Sequence, residues 1–173
     1  MDALKCISWK NTQAFKKVVA KETQLQYYIR REASPDVLSL VQLDSKPFGS
    51  AAESILREVF GMKKPTSTQH DGVFRGHKVE IKTARYWAGK DNCKWQHLEP
   101  DHDYRIALLA ILDFDGFRIW AVDKHRLMGE MREAGVVQKQ GKQGFWLTKS
   151  AAEDWLKPIQ TVEELEEFAD ALE

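Results

Sequence analysis

The stretch "HDGVFRGHKVEIKTAR", His70 to Arg85, sets Asp71 ahead of one short apolar run and places Glu80 and Lys82 two residues apart in the next. Residues two apart in a strand face the same side, so Glu80 and Lys82 project together while Val79 and Ile81 face the opposite way, into a core. Asp71 begins the partner run, and a hairpin through Arg75-Gly76 would carry its carboxylate beside Glu80. Two carboxylates held close repel each other, and a divalent cation relieves that cost. Oxygen ligands select a hard ion, Mg²⁺ with Mn²⁺ as its substitute, in an octahedral shell completed by waters. Lys82, adjacent to the ion, would orient or deprotonate a water and stabilise charge as a phosphate is attacked. Such a set performs metal-assisted hydrolysis of a phosphodiester.

Asp71-x8-Glu80-x-Lys82 across a hairpin, after a helix carrying an acid, resembles the PD-(D/E)xK nuclease superfamily. Small type II restriction endonucleases, mismatch-nicking enzymes and junction resolvases belong to it. The match spans roughly Ser45 to Val122, less than half the chain. The resemblance implies that Asp71 and Glu80 hold the metal, that the Ile81 backbone carbonyl joins them, and that Lys82 serves the water. It also implies that Gln96, in "WQHLEP", touches the metal waters or the scissile phosphate; Trp95 and Leu98 as core residues would equally leave Gln96 merely exposed. The family's usual Pro before the Asp is His70 here, a change at a position that contributes no ligand. Glu53 has two readings: an acid behind the first ligands or at a second ion, or the N3 residue of a Ser50-to-Glu53 capping box. The same pattern recurs at Ser150 to Glu153 and at Thr161 to Glu164.

Two other motifs fail on context. Pro35-Asp36 followed by Asp44-x-Lys46 copies the family's name more literally, but Pro47 would disrupt a central strand and no hairpin turn separates the acids. His70-Asp71 is similar to the metal-dependent HD phosphohydrolases, which are helical where this chain is β-rich. His97 and His102 stand five apart, off the helical spacing of a ligand pair, and read as surface residues.

A phosphodiester substrate needs cationic and aromatic neighbours. Thr83, Arg85, Tyr86, Trp87 and Lys90 follow the catalytic strand, with Arg85 and Lys90 as phosphate contacts. Lys139, Gln140, Lys142 and Gln143 lie in a Gly-flanked loop and suit guanine and adenine edges in a major groove. Formal net charge is zero, but from Glu153 to Glu173 eight acids face one base, Lys157, leaving +7 on the rest of the chain. That acidic tail either masks a basic face or is a solvated helix. The expectation is a Mg²⁺-dependent endonuclease on double-stranded DNA, most like a small type II restriction enzyme and acting as a homodimer, with the basic N-terminal helix as the candidate contact. A companion methyltransferase leaves no trace in the sequence. A junction-resolving or repair nuclease of the same fold is the first alternative, and a non-catalytic DNA-binding module the second.

These residues require a particular frame. The chain's 173 residues, 43% of them hydrophobic, suit one domain, with an N-terminal helical region over 1–45, a catalytic core over 46–125 and a C-terminal helical region over 126–173. The spacing predicts a helix from about Asn11 to Arg31, a helix or strand in "DVLSLVQL", and a helix from Ser50, as its N-cap, to Phe60. Strands follow in "DGVF", "HKVEIKTA", "YRIALLAIL" and "FRIWAV". Ile106 to Leu112 is apolar on both parities and reads as a central strand. A helix to about Ala134, a loop at "QKQGKQG" and a helical segment broken at Pro158 complete an α/β fold, a restriction-endonuclease-like mixed sheet of about four to five strands flanked by helices. No run approaches the ~18 apolar residues of a membrane span, and "MDALKCISWK" lacks the apolar region of a secretory signal. Cys6 and Cys93 form no Cys-x-x-Cys pair, so neither structural zinc nor a disulfide framework is expected. A soluble cytoplasmic protein is the expectation.

Overall fold

The structure, a computed structural model, describes residues 8–172, so Cys6 and most of the N-terminal segment read above lie outside it. The predicted continuous helix is in fact two, α1 (Gln13–Val19) and α2 (Gln24–Arg30). Thr23 accepts from Gln26 N while Gln26 returns a bond to Thr23 N, a reciprocal cap that starts a new helix inside the apolar stripe. Most of "DVLSLVQL" is helical, in α3 (Pro35–Val41), with Ser34 as cap and Pro35 at the first position, where its missing N–H costs nothing. Helix α4 (Ser45–Val59) begins at Asp44 rather than Ser50, because Pro47 falls within its first turn. Gly61, at φ +62°, closes it as expected. Asp36, Asp44 and Lys46 therefore sit on or beside helices and not on strands of a hairpin.

Strands β1 (Gly72–Phe74) and β2 (His77–Arg85) form the expected hairpin, and Arg75 and Gly76 take φ +49° and +81°, the pair of positive values that a tight two-residue turn demands. After β3 (Lys94–Leu98) come β4 (Ile106–Leu112), buried at every residue, and β5 (Phe117–Asp123). With β8 (Lys157–Ile159) these make a five-stranded sheet in the order β1-β2-β4-β5-β8, antiparallel except for the parallel β2–β4 pair. The protein is α/β with a mixed central sheet flanked by helices. Ala107, Leu109 and Ile111 feed a core with Phe48, Leu127 and Met131, whereas Ile106, Leu108 and Ala110 feed a second with Leu56, Phe60 and Leu165. Both parities of β4 are apolar because both faces are covered. Cutting Leu109 back to Ala would leave a cavity costing about 2–5 kcal/mol.

The C-terminal third departs from the expectation. Asp123 caps α5 (Lys124–Met128), and Gly129 separates it from α6 (Glu130–Glu133). A Cβ at Gly129 would lie 2.6 Å from the His125 carbonyl oxygen, which is why this kink needs glycine. The "QKQGKQG" loop contains β6 (Gln138–Lys139) and turns into β7 (Phe145–Thr148), giving a second sheet in the order β3-β7-β6. Thr148, not Ser150, caps α7 (Lys149–Ala152), and β8 carries Pro158 on the sheet edge, where its missing N–H is tolerated. The chain closes with α8 (Val162–Asp170), capped by Thr161. Among the described residues no helix is long and apolar enough to cross a membrane.

Candidate active site

Strand β1 begins at Gly72 opposite Val79, and past Val79 this flank of β2 has no strand beside it in the central sheet. Asp71 takes the vacant place. Its N–H donates to the Val79 carbonyl at 2.8 Å, and its Oδ2 accepts from the Ile81 N–H at 2.7 Å. In an extended strand the N–H and C=O of one residue point to the same flank, so the Ile81 carbonyl faces the edge that Asp71 occupies. Glu80 and Lys82 stand together on one face of β2, opposite Ala107 and Leu109 of β4, with Glu80 Oε1 2.7 Å from Lys82 Nζ. Val79 and Ile81 turn into the second core. The hairpin thus brings Asp71, Glu80, Ile81 and Lys82 to one place.

The electrostatics are those of crowded acids. Burial pushes the Glu80 carboxyl above its ordinary range, and Asp71 raises it further against the opposing pull of Lys82. Glu53, on α4, is raised first by burial and then by Asp71, with Arg57 acting the other way. Ser50 lies a full turn inside α4, so the capping reading of Glu53 falls away. Glu53 instead pairs with Arg57, whose guanidinium also donates to the Asp71 carbonyl at 3.2 Å. Arg57 ties the helix acid to the hairpin. Its role escaped the sequence because an i,i+4 pair on a helix is ordinarily a surface feature.

No protein-family model matches the chain, and no curated protein matches it in sequence. The site stands on its own chemistry. Among the described residues no group of three or more His, Cys, Asp and Glu side chains converges closely enough to hold an ion. The donors fit a wetter arrangement, in which Mg²⁺ keeps several waters and takes one or two carboxylates. Asp71, Glu80 and the Ile81 carbonyl are the atoms that would hold it, with Glu53 behind them.

A cleft of about 270 Å³ opens beside these residues, lined by Glu53, Ile81, Lys82, Thr83, Lys94 and Gln96. Gln96 reaches it from β3, an element hidden in the sequence among polar residues, and its Oε1 accepts from Gln140 Nε2 at 2.9 Å. Lys94 comes from the same strand and was not foreseen. His97 is exposed and also lines the cleft, at the irregularity where β3 slips register.

The predicted DNA contacts divide. Lys139, Lys142 and Gln143 are exposed around the β6–β7 turn, as is Lys90 in the loop after β2, while Trp87 lines a groove next to the cleft with Thr83 and Phe48. Gln140 turns inward, to Gln96. Arg85 is a strut: its guanidinium donates to the Val41 and Leu43 carbonyls at 2.8 and 2.6 Å and stacks over Phe48. Tyr86 is 2% exposed, its ring packed near Tyr28 and Phe114. These two serve the fold where the sequence suggested substrate contact. His70 is buried and its Nε2 accepts from Thr66 N at 3.1 Å, fixing the turn that delivers Asp71.

Proposed function

We propose that the protein is a Mg²⁺-dependent DNA endonuclease of the PD-(D/E)xK kind, most like a small type II restriction enzyme. The observation that carries this reading is the Asp71 carboxylate seated on the Ile81 N–H, at the open flank of the strand that bears Glu80 and Lys82. Carboxylates at the strand edge and on the strand itself are oxygen ligands suited to a hard cation, and the adjacent lysine adds the group that hydrolysis of a phosphodiester would use on the water. Bound there, Mg²⁺ would polarise the scissile phosphate and make a nearby water more acidic.

The protein's own groups supply the remainder. Asp71 and Glu80 fix the position of the site relative to β2. Lys82 Nζ, held against Glu80 in the structure, would hold the attacking water and offset the charge that develops on phosphorus. Lys94 and Gln96 offer a cation and an amide donor on the far wall of the cleft, suited to the non-bridging phosphate oxygens. Cutting both strands of a duplex takes two such sites, so a homodimer is part of the proposal.

Plasmid digestion in Mg²⁺, with the ends sequenced, is the test. Discrete fragments are expected from the wild-type protein, whereas selective cutting of branched DNA would favour the junction-resolving alternative. Lys82→Ala should bind DNA as well as the wild type while cutting roughly 10²–10³-fold more slowly. If it cuts at the wild-type rate, the role given to Lys82 is wrong.

A further inference from the structure

Tyr104 is 5% exposed, and its hydroxyl is sealed from solvent with no hydrogen-bond partner among the described residues. Leaving a buried hydroxyl unpaired costs about 1–3 kcal/mol. Other polar aromatics in the same core avoid that cost: Tyr28 donates to the Leu112 carbonyl, and Trp95 Nε1 donates to the Ala110 carbonyl at 3.0 Å. Phenylalanine would fill the space at Tyr104 without the penalty. The hydroxyl is therefore left as an unmatched donor among the described residues.

Its surroundings indicate where a partner would sit. Tyr104 lies just ahead of β4 and packs into the core shared by Ala107 and Leu109, the β4 neighbours of Glu80 and Lys82. The Lys124 ammonium stands 4.5 Å from the centre of the Tyr104 ring and is itself anchored on the His102 carbonyl, so the ring is clamped. Burial, and then the charges of Glu80 and Glu99, push the phenol's pKa well up, which keeps it a donor at any working pH. Glu80 Oε1 accepts from Lys82, and the second carboxylate oxygen is a further acceptor.

We propose that the Tyr104 hydroxyl donates a hydrogen bond to a water held on the Glu80 carboxylate, and so positions that carboxylate for a divalent ion. Tyr104 is then a positioning residue, behind Glu80 and out of reach of the substrate. The proposal rests on the reading above for the presence of an ion at Glu80, though not for the reaction the ion serves.

Tyr104→Phe tests it through three measurements on the full chain: melting without metal, Mn²⁺ affinity from the paramagnetic resonance of free Mn²⁺, and DNA cleavage in Mg²⁺. The metal-free melting temperature should hold or rise, because an unpaired hydroxyl is removed. Mn²⁺ affinity and kcat should each fall about 10–100-fold, with KM for DNA unchanged. Unchanged Mn²⁺ affinity overturns the proposal, and a lower melting temperature with unchanged affinity makes the hydroxyl structural. A wild-type protein that binds Mn²⁺ but cuts no DNA would end the nuclease reading while leaving the Tyr104 test intact; one that binds no Mn²⁺ overturns both.

Discussion

Glu80 faces opposing demands. Its carboxylate is 5% exposed and its pKa is raised by burial, then by Asp71, with Lys82 only partly compensating. An acid whose pKa is higher in the folded than in the unfolded chain favours folding most at low pH. That advantage is lost as pH rises from the ordinary glutamate value of 4.5 through the raised one. Glu53 works in the same direction. At pH 7 and without metal, Glu80→Gln should therefore melt a few degrees above the wild type, and the gap should close towards pH 4. Added Mg²⁺ should reverse the order, stabilising the wild type by mass action and leaving the variant unmoved. Calorimetric melts at the two pH values, with and without Mg²⁺, check this. A variant that is less stable at pH 7 in the absence of metal would show that the Lys82 ion pair outweighs the burial of Glu80.

Among the elements, the β6–β7 hairpin carries exposed Lys139, Lys142 and Gln143 at its turn and sends Gln140 inward to Gln96 in the cleft. With Gln96 Oε1 occupied, its amide N–H₂ is the end left to face the cleft. Gln140 Oε1 is itself buried without a partner among the described residues, so in Gln140→Leu the relief of that oxygen offsets the loss of the bond to Gln96 and the net change in stability should be small. The same change frees the Gln96 carboxamide and should slow cleavage by up to about 10²-fold through misplacement alone. Lys139→Ala with Lys142→Ala should instead weaken DNA binding and lower the salt slope of log K by roughly 1.8. Titrations at several salt concentrations alongside rate measurements separate the two effects, and an unchanged slope would remove the turn from the interface. The β1–β2 hairpin was legible because Arg75-Gly76 and the alternation around Glu80 are strong local signals, and β4 because seven apolar residues in a row fit a strand covered on both faces. Strands β3, β6 and β7 were not: all three are short, β3 and β6 are largely polar, and β3 finds its partner β7 only about fifty residues further on. The helix starts went astray for a related reason: Ser50 resembles a cap, but Asp44 and Pro47 set the start of α4 first.

In the whole molecule the acidic tail is an amphipathic helix, its apolar face packed on the sheet and its acids left towards solvent. Helix α8 buries Leu165 and Ala169, and its Asp170 binds the Arg75 guanidinium at the hairpin tip at 2.6 and 2.7 Å. That exposed pair adds little stability, on the order of 0–1 kcal/mol, but it ties the chain's end to the turn that sets the register of Asp71 against β2. The candidate site exists only in the assembled fold: Asp71 precedes β1, Glu80 and Lys82 lie on β2, Glu53 comes from α4 and Gln96 from β3. Sequence spacing shows the first three together because one hairpin joins them. It does not show Arg57, Lys94 or Tyr104, which lie outside the hairpin and reach the site only through the packing of neighbouring elements. The central claim is that Asp71, Glu80 and the Ile81 carbonyl share one hard cation. Anomalous diffraction from crystals grown with Mn²⁺ tests it directly. The account predicts a single peak about 2.1 Å from oxygens of all three. A peak elsewhere, or none, contradicts it.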